Sequence, residues 1–73
     1  MDRYYFNPVP GSVYRALNGN QYLCLATDGN YGAKLQNMDK YKWTFIAWGC
    51  QQYTDGRIEW DGSKGGYFAG EQV

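Results

Sequence analysis

The dipeptides Asn18-Gly19 and Asp28-Gly29, each flanked by apolar-rich segments, together with a third, Asp55-Gly56, constrain this chain more than any other feature. Both central residues of a type I′ hairpin need positive φ, which glycine adopts freely and Asn or Asp tolerates. The twist of that turn also matches the strands on either side. A chain punctuated in this way is predicted to be a series of short antiparallel strands.

The predicted strands cover 12–17, 21–27, 31–36, 42–53 and 57–61, with a short sixth at 67–69. No window keeps a helical apolar period. Residues 1–10 read as an N-terminal arm, because Pro8 and Pro10 each remove a backbone donor and restrict the residue before them. Residues 11–70 read as a single β-barrel domain. The polar stretch 36–41 has room for one helical turn, and the glycine-rich 62–66 reads as a second turn. Five strands in meander order, the fourth bent around Gly49, fit a small, partly open SH3-like barrel; an OB-like barrel is the alternative.

A 73-residue domain buries only about 60% of the surface of its unfolded chain, so its core must be efficient. Eight Tyr, three Trp and three Phe meet that need, since each ring can bury roughly 150–250 Å². A two-residue Asp55-Gly56 loop places Tyr53 opposite Ile58 and Gln51 opposite Trp60. One face then collects Trp43, Phe45, Ala47, Tyr53, Ile58 and Trp60 as core. The reverse face carries Thr44, Ile46, Trp48, Cys50 and Gln52 with Arg57, Glu59 and Asp61.

Around Asp28-Gly29 the same count groups Tyr22, Cys24 and Ala26 with Tyr31, Ala33 and Leu35. A two-residue Asn18-Gly19 loop adds Val13 and Leu17 to that face, whereas a three-residue loop over 18–20 moves both to the side of Leu23 and Leu25.

Seven basic residues balance seven acidic ones and neither sign forms a run, so nucleic-acid binding is disfavoured and no cofactor is implied. With no histidine, imidazole catalysis and imidazole–metal chemistry are unavailable to the chain. Glu59 and Asp61 share a face with Arg57 between them, which reads as a solvated polar face rather than a catalytic or metal-binding carboxylate pair. The segment 62–66 contains Ser63-Lys64 but lacks the strand before it and the helix after it that a phosphate loop needs. No apolar stretch has signal-peptide or membrane-spanning length, which points to a cytoplasmic chain with no membrane partner. Cys24 and Cys50 are accordingly expected as free thiols.

The misfit is Trp48, a large ring on a polar face. It reads either as an interface anchor rimmed by Gln52, Arg57, Glu59 and Asp61 or as a ring covered by Tyr4, Tyr5 and Phe6 of the arm.

Gly11-Ser12-Val13-Tyr14, Asn18-Gly19-Asn20-Gln21-Tyr22-Leu23-Cys24-Leu25, Trp43-Thr44-Phe45-Ile46-Ala47 and the run from Tyr53 to Ser63, with Gly65-Gly66-Tyr67-Phe68, carry a resemblance over residues 11–68. The chain resembles short uncharacterised single-domain β-barrel proteins encoded by Gram-positive gut anaerobes and their phages and mobile elements. The resemblance brings no catalytic residues; it implies a genomic setting in which very small proteins bind and block a host or defence protein. Cys50 stands where such sequences carry a more polar residue, often histidine.

The expectation is therefore a non-enzymatic protein-binding module using Trp48, Gln52, Arg57, Glu59 and Asp61, with homo-oligomer formation through the arm or an edge strand. The alternative is a single-stranded nucleic-acid binder using exposed aromatic rings.

Overall fold

The computed structural model describes residues 2–66 and Phe68. These described residues are all-β, with eight short strands: β1 (Arg3–Tyr5), β2 (Val13–Arg15), β3 (Gln21–Thr27), β4 (Ala33–Asn37), β5 (Thr44–Trp48), β6 (Gln51–Tyr53), β7 (Ile58–Glu59) and β8 (Gly62–Lys64). They form a five-stranded antiparallel sheet in the order β2-β3-β4-β5-β8 and a three-stranded antiparallel sheet in the order β1-β6-β7. The predicted meander is present as β2 to β5, with β8 as the fifth strand, and the sheet is open rather than closed into a barrel. The two sheets meet where Ala16 forms a parallel bridge with Ile58 and the Leu17 N–H donates to the Ile58 carbonyl at 3.2 Å.

All three Asx-Gly dipeptides lie in turns, and their glycines have φ of 88° (Gly19), 74° (Gly29) and 95° (Gly56). The Asp55-Gly56 loop is longer than the two residues expected, and at Asn18-Gly19 the three-residue alternative is found, one position earlier than 18–20. Residues 17–19 and 54–56 are three-residue loops, in which the Gly19 N–H donates to the Ala16 carbonyl at 3.0 Å and the Gly56 N–H to the Tyr53 carbonyl at 2.9 Å. Glycine then closes a type I turn from the left-handed region, another use of the same dipeptide. Val13 consequently faces Leu23, and Ile58 pairs with Gln52 rather than Tyr53. In the third turn the Asp28 carboxylate accepts the N–H groups of Asn30 (2.7 Å) and Gly32 (2.9 Å), which keeps Tyr31 out of β4. A bulge between Cys24 and Ala26 then shifts the β3–β4 register.

The strand expected to run from 42 to 53 is two strands. Gly49, at φ 66°, ends β5 and sends the chain into β6 of the other sheet. Lys42, at φ 52°, holds Trp43 ahead of β5, so this ring, expected in the core, is 50% exposed and tilts against Phe45 at 5.1 Å. Gly62–Lys64, expected as a turn, is β8, with Trp48 opposite Gly62 and Ala47 opposite Ser63. The expected sixth strand at 67–69 rests on Tyr67 and Ala69, which lie outside the described residues. Residues 1–10, read as an arm, carry β1, with Arg3 opposite Tyr53 and Tyr5 opposite Gln51, and the segment also buries Pro8.

The core gathers Ala16, Tyr22, Cys24, Ala33, Leu35, Phe45, Ala47, Cys50 and Ile58, with Phe6, Tyr14 and Trp60 packed against it. Tyr22, Phe45 and Trp60 contact one another with ring centroids 5.6, 5.3 and 5.4 Å apart, the offset and edge-on distances that aromatic quadrupoles favour. Ile46 and Cys50, assigned by strand counting to the polar face, are buried. The central residues of β5 are buried on both faces of the sheet, which a strict inside–outside alternation does not describe.

Candidate protein-interaction site

Trp48 ends β5 opposite Gly62, and its indole lies directly over that glycine, in space a Cβ there would need. The missing side chain at Gly62 thus makes the floor on which the ring rests. Trp48 remains 45% exposed with β1 in place, so the N-terminal segment does not bury it. A ring this large, fixed on one side and open on the other, has the form of an interface anchor.

Beside it the Asp61 N–H donates to the Trp48 carbonyl at 3.0 Å. The Asp61 carboxylate accepts the Gln51 side-chain amide at 2.6 Å and the Tyr5 hydroxyl at 3.3 Å, and it lies against the backbone of Gly49. Glu59 accepts the Tyr53 hydroxyl at 2.8 Å and pairs with Arg3 at 3.2 Å. Arg3 also donates to the Tyr53 hydroxyl, and that bond, ahead of the charges of Tyr53 and Glu59, raises its pKa further. Both carboxylates are thus held in defined positions by donors from β1 and β6. Arg3, Tyr4, Tyr5, Gln51 and Asp61 line a shallow depression of about 180 Å³.

The five residues expected to form one face are divided. Trp48 is joined to Asp61, and Glu59 lies in a separate hydrogen-bonded group with Arg3 and Tyr53 on the smaller sheet. Gln52 pairs with Tyr4 and Ile58 on the reverse of that sheet, and its amide donates to the Gly56 carbonyl at 3.2 Å. Arg57 closes the hairpin, where its Nε meets Asp55 at 2.8 Å. The Arg57 backbone N–H, followed by its side chain, holds the Asp55 carboxyl below its usual pKa. The break at Gly49 and the longer 54–56 loop are the reasons: each resets the alternation that had grouped Trp48 with Gln52 and Arg57.

Two rings that strand counting did not bring together join the site. Tyr5 and Tyr31, both exposed, tilt against each other with centroids 5.4 Å apart. Tyr31 is a non-glycine residue at φ 66°, pinned by the Asn7 side chain, which accepts its N–H at 2.7 Å, and by the Cys50 N–H, which donates to its carbonyl at 2.8 Å. Tyr31, Tyr5 and Trp48 are thereby all tied to the Gly49–Cys50 corner: through the Tyr31 carbonyl, through Asp61, and through the chain itself. Only the position of Tyr31 immediately after Asp28-Gly29-Asn30 marks it in the sequence as a loop residue.

Both thiols are free and buried. Burial raises the pKa of Cys24 and pushes that of Cys50 up to about 12, so these sulfurs stay protonated, unlike an activated nucleophile. Among the described residues no group of three His, Cys, Asp or Glu is placed to hold a metal ion, and no helix is long and apolar enough to cross a membrane. No protein-family model, curated protein or solved structure matches the chain.

Proposed function

We propose that this chain is a small non-enzymatic protein-binding module that presents Trp48, with Asp61 beside it, to a protein partner. Inhibition of a host or defence protein, the setting implied by the resemblance over residues 11–68, is the concrete form of this reading. The observation that carries it is the 45% exposure of an indole seated on Gly62. Anchors of this kind gain affinity because their rigid support costs little ordering on binding, and the hydrogen-bonded Asp61 carboxylate beside Trp48 supplies a polar rim. The balanced charge gives no phosphate-tracking groove, which places single-stranded nucleic acid second.

The test pairs affinity capture from the native host with titration of the purified captured partner. Trp48→Ala is expected to keep its melting temperature while weakening that partner by about 2 kcal/mol or more, the size of an interface hot spot. Unchanged affinity removes Trp48 from the interface. Tight, steeply salt-dependent binding of an oligonucleotide would put the nucleic-acid reading first.

A further inference from the structure

We propose that β1 is a dimerisation edge, and that its occupant is β1 of a second copy of this chain, running antiparallel about a two-fold axis at Tyr4. This inference concerns the opposite edge of β1 from β6 and does not rest on the Trp48 reading.

The hydrogen-bond pattern of β1 carries it. The Phe6 N–H donates to the Cys50 carbonyl and the Thr54 N–H to the Asp2 carbonyl, so even-numbered residues of this segment direct their backbone groups at β6. Antiparallel pairing alternates, and the intervening Arg3–Tyr53 and Tyr5–Gln51 positions are therefore the non-hydrogen-bonded pairs. The N–H and C=O groups of both Arg3 and Tyr5 point to the outer edge. Among the described residues β1 is an end strand of its sheet, and all three of its residues are exposed.

This edge complements itself. Its two outward-facing residues sit symmetrically about Tyr4, so a two-fold axis there sets Arg3 against the partner's Tyr5 and Tyr5 against the partner's Arg3. Each of these pairings exchanges two backbone hydrogen bonds, which satisfies every outward group of the strand and joins two three-stranded sheets into one of six. Charge favours the same register. On the face of the smaller sheet Arg3 lies at one end, while Tyr5, opposite Gln51 and bonded to Asp61, lies toward the acidic end. The axis thus brings the cation of each copy toward the carboxylate end of the other.

Natural edges of this kind are usually guarded by a proline, a bulge or an outward charge. β1 has no proline, its register with β6 is unbroken, and its only charged side chain is turned back onto Tyr53 and Glu59 of its own sheet.

Sedimentation velocity over roughly a hundredfold range of concentration should show a shift from one chain to two, since association follows mass action. Amide hydrogen exchange over the same range should show the Arg3 and Tyr5 N–H groups becoming protected as the dimer forms. Arg3→Pro removes an outward N–H that has no partner among the described residues and is expected to abolish the dimer while the monomer stays folded. Arg3→Ala keeps that N–H and should retain the dimer with severalfold weaker association. A constant monomer mass overturns the proposal and leaves the edge to a different chain. Equal loss in the two variants, or Arg3 and Tyr5 amides protected where sedimentation shows a single chain, also overturns it.

Discussion

The five-stranded and three-stranded sheets stand on different physics. In the larger, Tyr22, Phe45, Leu35, Ala33 and Ala47 are buried together, and its cohesion comes from apolar area removed from water. The smaller sheet has strands of only two or three residues, and one face carries two hydrogen-bonded groups, Arg3–Tyr53–Glu59 and Tyr5–Asp61–Gln51. Ile58, fully buried, is the residue through which the small sheet reaches the common core. The large sheet holds the fold, and the small sheet displays polar groups in fixed positions.

Truncation in the large sheet should have the largest effect. Leu35→Ala, at a site with no exposure, is expected to cost about 2–5 kcal/mol, read from the urea midpoint. A near-neutral result would mean that the large sheet does not dominate stability. Gly62→Ala tests the seam beside Trp48: the new Cβ meets the indole, and overpacking of this kind costs about 1–3 kcal/mol. The displaced ring should also red-shift its fluorescence.

The buried thiol of Cys50 gives the comparison a pH signature. Its folded pKa of about 12 lies above the ordinary 9.0, so from pH 9 upward the unfolded state releases a proton that the folded state keeps. Stability from this group is fully present below pH 9 and is lost as pH rises toward 12, at about 1 kcal/mol for the first unit. Thermal melts from pH 8 to 10 should therefore fall more steeply for the parent than for Cys50→Ala; parallel slopes would place the thiol in water. The smallest effect belongs to the small sheet. Tyr5→Phe removes one exposed hydroxyl bond to Asp61 and should shift stability by no more than about 0.5 kcal/mol. A larger loss would show that the polar group is a structural element in its own right.

The same division explains what the sequence reveals. β3 is found over the residues predicted, Gln21–Thr27, and the buried set Tyr22, Cys24, Ala33, Leu35, Phe45, Ala47 and Ile58 is visible from alternation alone. Apolar periodicity reports burial, and the large sheet is built on burial. Loop length is less visible, because Asx-Gly serves both two-residue turns and three-residue loops closed by a left-handed glycine. That one-residue difference separated Gln52 from the expected face. β1 and β8 were missed as strands for another reason. Their residues, Arg-Tyr-Tyr and Gly-Ser-Lys, bury little and owe their conformation to pairing partners distant in the chain. Trp48 was recognised as a misfit because a large ring among polar residues breaks the pattern; Tyr5 and Tyr31 break none.

The pairing of β1 with β6 also sets an order of events on the ribosome. Arg3 meets Tyr53, 50 residues later, so β1 waits for its partner while the local hairpins from β2 to β5 close. At typical elongation speeds that interval is roughly 3–10 s. Throughout it Tyr4, Tyr5 and Phe6 remain without the sheet that receives them, so β1 is made well before the strand that fixes its place.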